Sequence, residues 1–222
     1  MNGDDLIEGV LRAGERQADE VEIFCARGQS VSAGIKKGIL GTAEESETWS
    51  MTIRTVKDGR IGFSSTGDPD RWKECLDAAL ASGRIATPQE WGGFPKPAGM
   101  AGTASSADPD LVVGIDAAAG MVTDLLSGAA EHPVAVIGGG ADLARSSLKI
   151  ANTSDVRYSM ERTVAAVSLE AIREQSTGYE FDVSPFLADI DARSVGEEAA
   201  SLAARSLGGR NIETGRYDII LS

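Results

Sequence analysis

The chain has 222 residues, with 21 Lys+Arg against 34 Asp+Glu, and so carries a formal net charge of −13. Its hydrophobic fraction of 42% is that of a folded protein, and a chain this long buries enough surface to need no disulfide or metal staple. One histidine and two separated cysteines exclude a two-histidine zinc site and a zinc ribbon, and the acidic balance repels nucleic-acid phosphates.

The N-terminus, Met1-Asn2-Gly3-Asp4-Asp5, is acidic where a signal peptide is basic, and no stretch reaches the roughly 20 apolar residues of a membrane helix. The chain therefore reads as cytoplasmic. A first helix is expected over Gly3–Glu15, with Leu6, Ile7, Val10 and Leu11 on one stripe and Asn2 as its N-cap. Val21, Ile23 and Cys25 alternate as in a strand, and Val31–Ile39 reads as a second strand ending at Gly38 or Gly41. Thr48–Val56 is the clearest strand, with Trp49, Met51 and Ile53 on one face. Asp58-Gly59 signals a hairpin into a return strand over Arg60–Ser64. Asp68-Pro69 then starts a helix carrying Trp72, Cys75, Leu76, Ala79 and Leu80, with Gly83 placed to end it.

The segment 86–107 is rich in Pro, Gly, Ala and Ser and reads as a linker, pinned by Trp91 and Phe94. Beyond it Asp108-Pro109 is expected to cap a helix with Ile115, Ala119, Val122 and Leu126 on its stripe. Strands follow near Val134–Ile137, Arg145–Ala151, Tyr158–Leu169 and Tyr179–Val183. A last helix spans Ser194–Leu207 and stops at Gly208-Gly209. The expected architecture is α+β: duplicated helix–antiparallel meander–helix units, two sheets flanked by helices. Residues 1–85 form the first unit, 86–107 the linker, and 108–222 the second, with Trp49 and Tyr158 at related positions. The terminal Tyr217–Ser222 reads as a buried strand, cut where a further domain would begin.

No residue set here makes a self-sufficient active site. His132 lies between a helix end and Pro133, where it serves as a cap rather than a catalyst. Cys25 and Cys75 sit on apolar stripes with nothing basic beside them in sequence, as buried hydrophobes do. Gly138-Gly139-Gly140 lacks the Gly-Lys-Ser/Thr of a phosphate loop and reads as a bulge or tight turn. Glu44, Glu45 and Glu47 fit a solvated turn before the Trp49 strand, and Asp189 and Asp191 a loop and a helix start. Asn152-Thr153-Ser154 matches a glycosylation pattern that has no meaning in a cytoplasmic chain. No catalytic, cofactor-binding or metal residue is therefore expected.

The order Val31–Gly38, then Trp49–Ile53, then Gly59-Arg60-Ile61-Gly62-Phe63-Ser64-Ser65-Thr66-Gly67-Asp68 resembles the N-terminal domain of the TldD/PmbA family, whose members are also called modulators of DNA gyrase. Ile150–Ser154 and Thr214–Ser222 extend the resemblance over essentially the whole chain, and Gly62–Asp68 leans toward the PmbA, or TldE, branch. The resemblance implies an α+β domain of a cytoplasmic, zinc-dependent peptidase system. TldD-type and PmbA-type subunits of that system pair as a dimer and cleave unfolded peptides in an enclosed chamber. The zinc motif, His-Glu-x-x-x-His, belongs to a C-terminal domain of the TldD type, and nothing here matches it. The implied part for this chain is to shape the chamber and the contact of a homo- or heterodimer with a TldD/PmbA-type subunit. The alternative is a non-catalytic interaction module of the gyrase-modulator kind, without direct DNA or membrane binding.

Overall fold

In the computed structural model, which describes residues 3–98, 106–209 and 213–218, four helices lie on one antiparallel sheet. The chain runs α1 (Gly3–Gly14), β1 (Glu20–Lys36), β2 (Ile39–Lys57), β3 (Arg60–Thr66), α2 (Trp72–Ile85), α3 (Ile115–Ala129), β4 (Ala135–Asn152), β5 (Arg157–Arg173), β6 (Ser176–Ser184) and α4 (Ala192–Arg205). The α+β class is as expected. The expected two sheets are one: six strands stand in the order β3-β2-β1-β4-β5-β6. Each meander ends on a strand with a free edge, and β1 and β4 join those edges antiparallel, from Glu22 opposite Asn152 to Gly34 opposite Gly140. Pairing satisfies backbone groups that two separate sheets would leave open.

The strands are also longer than hydrophobic alternation suggests. The two expected pieces at Val21–Cys25 and Val31–Ile39 are a single strand, β1, and those at Val134–Ile137 and Arg145–Ala151 are a single strand, β4. Their polar middles remain extended because partners pair along both sides. Glu44, Glu45 and Glu47 consequently lie within β2, exposed, rather than in a turn. Lys37-Gly38 and Asp58-Gly59 make the two tight turns of the first meander, all four residues having positive φ. Counted from the β2–β3 and β5–β6 hairpins, Met51, Ile53 and Thr55 correspond to Val167, Leu169 and Ala171, all buried. Trp49 corresponds to Ala165 and not to Tyr158, which lies farther from its hairpin.

All the helices cover the same face. Leu6, Val10 and Leu11 of α1 and Cys75, Leu76 and Ala79 of α2 pack on Val21, Ile23, Met51 and Ile53. At the other end of β1, Val31 and Ala33 meet Val122 and Leu125 of α3, while Leu169 and Ala171 join Ala199 and Ala203 of α4 in the same core. In the edge strands the inward positions are small. A Cβ on Gly62 would stand 2.0 Å from the Ala79 carbonyl oxygen, and one on Gly178 would stand 2.1 Å from that of Ala199. Helix backbone therefore rests directly on strand backbone at both edges.

Asp68 caps the 3₁₀ turn Pro69–Arg71 that leads into α2, and Asp191 caps α4 through the Ser194 amide. Asp108 does not cap a helix; α3 starts seven residues later at Ile115 with Gly114 as its N-cap. Instead the buried Asp108 carboxylate accepts amide hydrogen bonds from Leu187 (2.8 Å) and Asp110 (2.9 Å), tying the crossing chain to the segment after β6. The Asn2 cap and the strand expected over residues 219–222 fall outside the described residues; Tyr217 and Asp218 carry no strand.

Replacing Gly178 by Val should destabilise the fold by about 3 kcal/mol or more, since the clash is with helix backbone that cannot turn aside. Thermal unfolding checks this, and an unchanged midpoint would contradict the packing described. The Leu187 and Asp110 amides hold the Asp108 carboxyl below the usual carboxylate range. A folded pKa below the unfolded one stabilises the protein above the unfolded value, and that contribution is lost as pH falls through the folded one. Asp108→Asn should lower stability at neutral pH and shrink its decline on acidification, read from denaturant melts across that range.

Candidate functional site

Among the described residues, most of the sheet face opposite the helices is open. Its outward residues alternate with the buried ones, so Phe24 of β1, Ile61 and Phe63 of β3, and Tyr179, Phe181 and Val183 of β6 all point away from the core. Phe63 is 67% exposed, and Phe181 57%. Neighbouring strands extend these into an apolar path, interrupted by the Arg54–Glu22 pair beside Phe63 and by Arg162 between Met160 and Val164. Phe24 stands opposite Ile150, Ile150 opposite Tyr158, and Leu148 opposite Met160. Farther along β5, Val164 and Ala166 lead to Val183 on β6. Tyr179 and Phe181 stack beside each other at 6.0 Å. Small residues hollow the centre: Ala26, Gly28, Ser50 and Ser146 line a recess of about 340 Å³.

One stretch of chain crosses a corner of this face. Trp91 Nε1 and the Phe94 amide both donate to the Glu20 carboxylate, at 2.8 and 2.7 Å. Trp91 and Phe94 meet edge to face, and the Arg54 guanidinium lies 5.0 Å over the Phe94 ring. Asn152, almost wholly buried, donates to the Pro95 carbonyl and accepts from the Ser154 and Val156 amides. The pinning expected of Trp91 and Phe94 is thus realised, and the Asn-Thr-Ser sequence is a structural hairpin.

The residues singled out in sequence do not converge. Burial pushes the Cys25 thiol up to about 11 and raises that of Cys75 as well, so both stay protonated at neutral pH. Gly139 has φ +127 at a break in the β4–β5 register between Val136 and Gly138, which is a bulge and not a phosphate loop. Asp189 accepts from Ser184 Oγ at 2.8 Å, and Glu47 pairs with Arg27. His132 sits in the turns after α3, its amide donating to the Ala129 carbonyl. Among the described residues no three His, Cys, Asp or Glu side chains gather, and a single histidine leaves the donor set unfit for a three-ligand catalytic zinc.

The open-face aromatics were the signal missed in sequence. Alternation tells which residues share a face, not which face is covered. In β6 the large residues Tyr179, Phe181 and Val183 face outward, and Ser176, Gly178 and Ser184 face the helices. No helix among the described residues is long and apolar enough to cross a membrane.

Solved structures share this fold. TldE from Thermococcus kodakarensis aligns with a TM-score of 0.79 at 21% identity, over 88% of this chain and 46% of its own. A candidate modulator of a DNA gyrase from Thermotoga maritima gives 0.78 at 18%, over 96% and 50%. A similar protein from Bacteroides thetaiotaomicron gives 0.77 at 14%, over 96% and 52%. The chain spans about half the length of these proteins. No curated protein matches its sequence. Residues 21–83 match the family model of PmbA/TldA metallopeptidase domain 1, and residues 106–207 match that of the PmbA/TldA metallopeptidase central domain. With both matches in order along one chain, this protein belongs to the PmbA/TldD family.

Proposed function

We propose that the chain is a non-catalytic part of a TldD/PmbA-like peptidase subunit, shaping the substrate chamber and the subunit contact while metal-dependent peptide cleavage occurs elsewhere. The observation that carries this reading is the sheet face opposite the helices, where Phe24, Phe63, Val164, Phe181 and Val183 are all more than 40% exposed among the described residues. A contiguous apolar surface of this kind marks a contact with protein. Six strands about 4.8 Å apart make a face broad enough for a standard interface. A donor set unfit for zinc supports placing the chemistry outside these residues.

The same reading takes residues 1–85 and 108–222 as duplicated units joined by a linker over 86–107. Its support is positional. Gly62 and Gly178 are each the third residue of their edge strand, each pressed by a helix, and each followed by an outward aromatic, Phe63 and Tyr179.

Incubated with zinc and an unfolded peptide, the chain alone should show no chelator-sensitive cleavage. Cleavage should appear only when a full-length TldD-type subunit is added. Stoichiometric zinc with chelator-sensitive cleavage by the chain alone would overturn the reading. Phe63→Asp or Phe181→Asp should weaken association with such a subunit roughly tenfold or more, as loss of an aromatic anchor does. Neither should change the thermal midpoint by more than about 2 °C, because both side chains face solvent. Sedimentation analysis of mixtures gives the first quantity, and a melting curve the second.

A further inference from the structure

A second feature is independent of the sheet face. Beside the β2–β3 hairpin, under the C-terminal ends of α1 and α2, lies a cleft of about 490 Å³ whose lining includes Arg16, Thr55, Lys57, Asp58, Arg60 and Arg84. Four cations thus converge around one carboxylate, in a chain whose net charge is −13. Lys57 Nζ donates to the Gln17 carbonyl at 2.8 Å, and the Arg60 guanidinium donates to the Ala86 carbonyl. Both acceptors are neutral, so they fix the side chains in place and leave their charge uncompensated. Arg16 and Arg84 have no ion-pair or hydrogen-bond partner among the described residues.

Thr55 adds a neutral donor to the cleft. It is 2% exposed, lines the cleft, and its hydroxyl meets no protein partner among the described residues. Thr163, equally buried, bonds to the Asp108 amide and the Pro185 carbonyl. The Thr55 hydroxyl oxygen is not a buried unsatisfied atom, so it is reached from the cleft and free to donate there.

Cations at helix C-termini complement the helix dipole, which accounts for Arg16 and Arg84. It does not account for Lys57 and Arg60, which come from strands, nor for Thr55. We infer that this cleft binds a small phosphate-bearing molecule. Guanidinium forks, an ammonium and a hydroxyl donor together match the several acceptor oxygens of a phosphate group, and the volume is that of a small-ligand site.

Titration calorimetry of the full chain with pyrophosphate tests this, with citrate as a carboxylate of comparable charge. Pyrophosphate should bind at one site, more tightly than citrate, and should shift the backbone amide resonances of Thr55 and Lys57. Arg16→Ala and Arg84→Ala should each weaken binding roughly tenfold, the loss expected for a charge-assisted hydrogen bond. Arg27→Ala, which removes a surface cation elsewhere, should leave it unchanged; circular dichroism confirms that each variant is folded. No binding, equal binding of citrate, or an equal loss in Arg27→Ala would overturn the assignment. None of these outcomes bears on the subunit contact, which lies on the opposite face of the sheet.

Discussion

The antiparallel pairing of β1 with β4 is the constraint on which the rest of the molecule depends. It runs without a break from Glu22–Asn152 to Gly34–Gly140 and turns two three-stranded meanders into one sheet. Because β1 is long, its ends belong to different cores: Val21 and Ile23 to that of α1 and α2, Val31 and Ala33 to that of α3 and α4. Among the described residues, a strip of helix-side sheet between the two helix pairs stays uncovered. Arg27, Glu47, Trp49, Ser147, Lys149 and Glu161 line a trough there. Its ion pair, Arg27–Glu47, is exposed and contributes little stability. What keeps those stretches extended is backbone pairing on their flanks, which is indifferent to side-chain polarity.

Edge strands carry a second constraint. A helix can cover the edge of a sheet at backbone distance only if the residue beneath it has no side chain, and Gly62 and Gly178 meet that requirement. The pleat then sends the next residue outward. Phe63 and Tyr179 are therefore exposed by the same geometry that seats α2 and α4. Close helix packing on one face and aromatic display on the other are two results of one alternation.

These two constraints set what could be read from sequence. Helices announced themselves through stripes such as Leu6, Ile7, Val10 and Leu11, and the Asp58-Gly59 turn through its dipeptide. Local signals of this sort need no partner. The polar run at Arg27–Ser30 looked like a break because only tertiary pairing keeps it in strand. Asp108-Pro109 looked like a helix start because an Asx turn has the same local chemistry, and only the distant Leu187 amide reveals the other use. The open face was illegible for a further reason. Apolar periodicity says that a stripe will be buried by something, and that something need not be in the same chain.

The sign of the charge bears on what that something is. The open face carries the Arg54–Glu22 pair and Arg162 beside a centre of Gly, Ala and Ser. The rest of the surface is acidic enough to leave the chain at −13. Two copies brought face to face would add their repulsion over separations comparable to the screening length of about 8 Å. The apolar contact, in contrast, is short-ranged and indifferent to the identity of the surface it meets. Attraction set by the face and repulsion set by the whole chain therefore favour a partner with a matching apolar surface and a less negative charge over a second copy of this chain. Self-association through this face is therefore opposed most strongly at low salt.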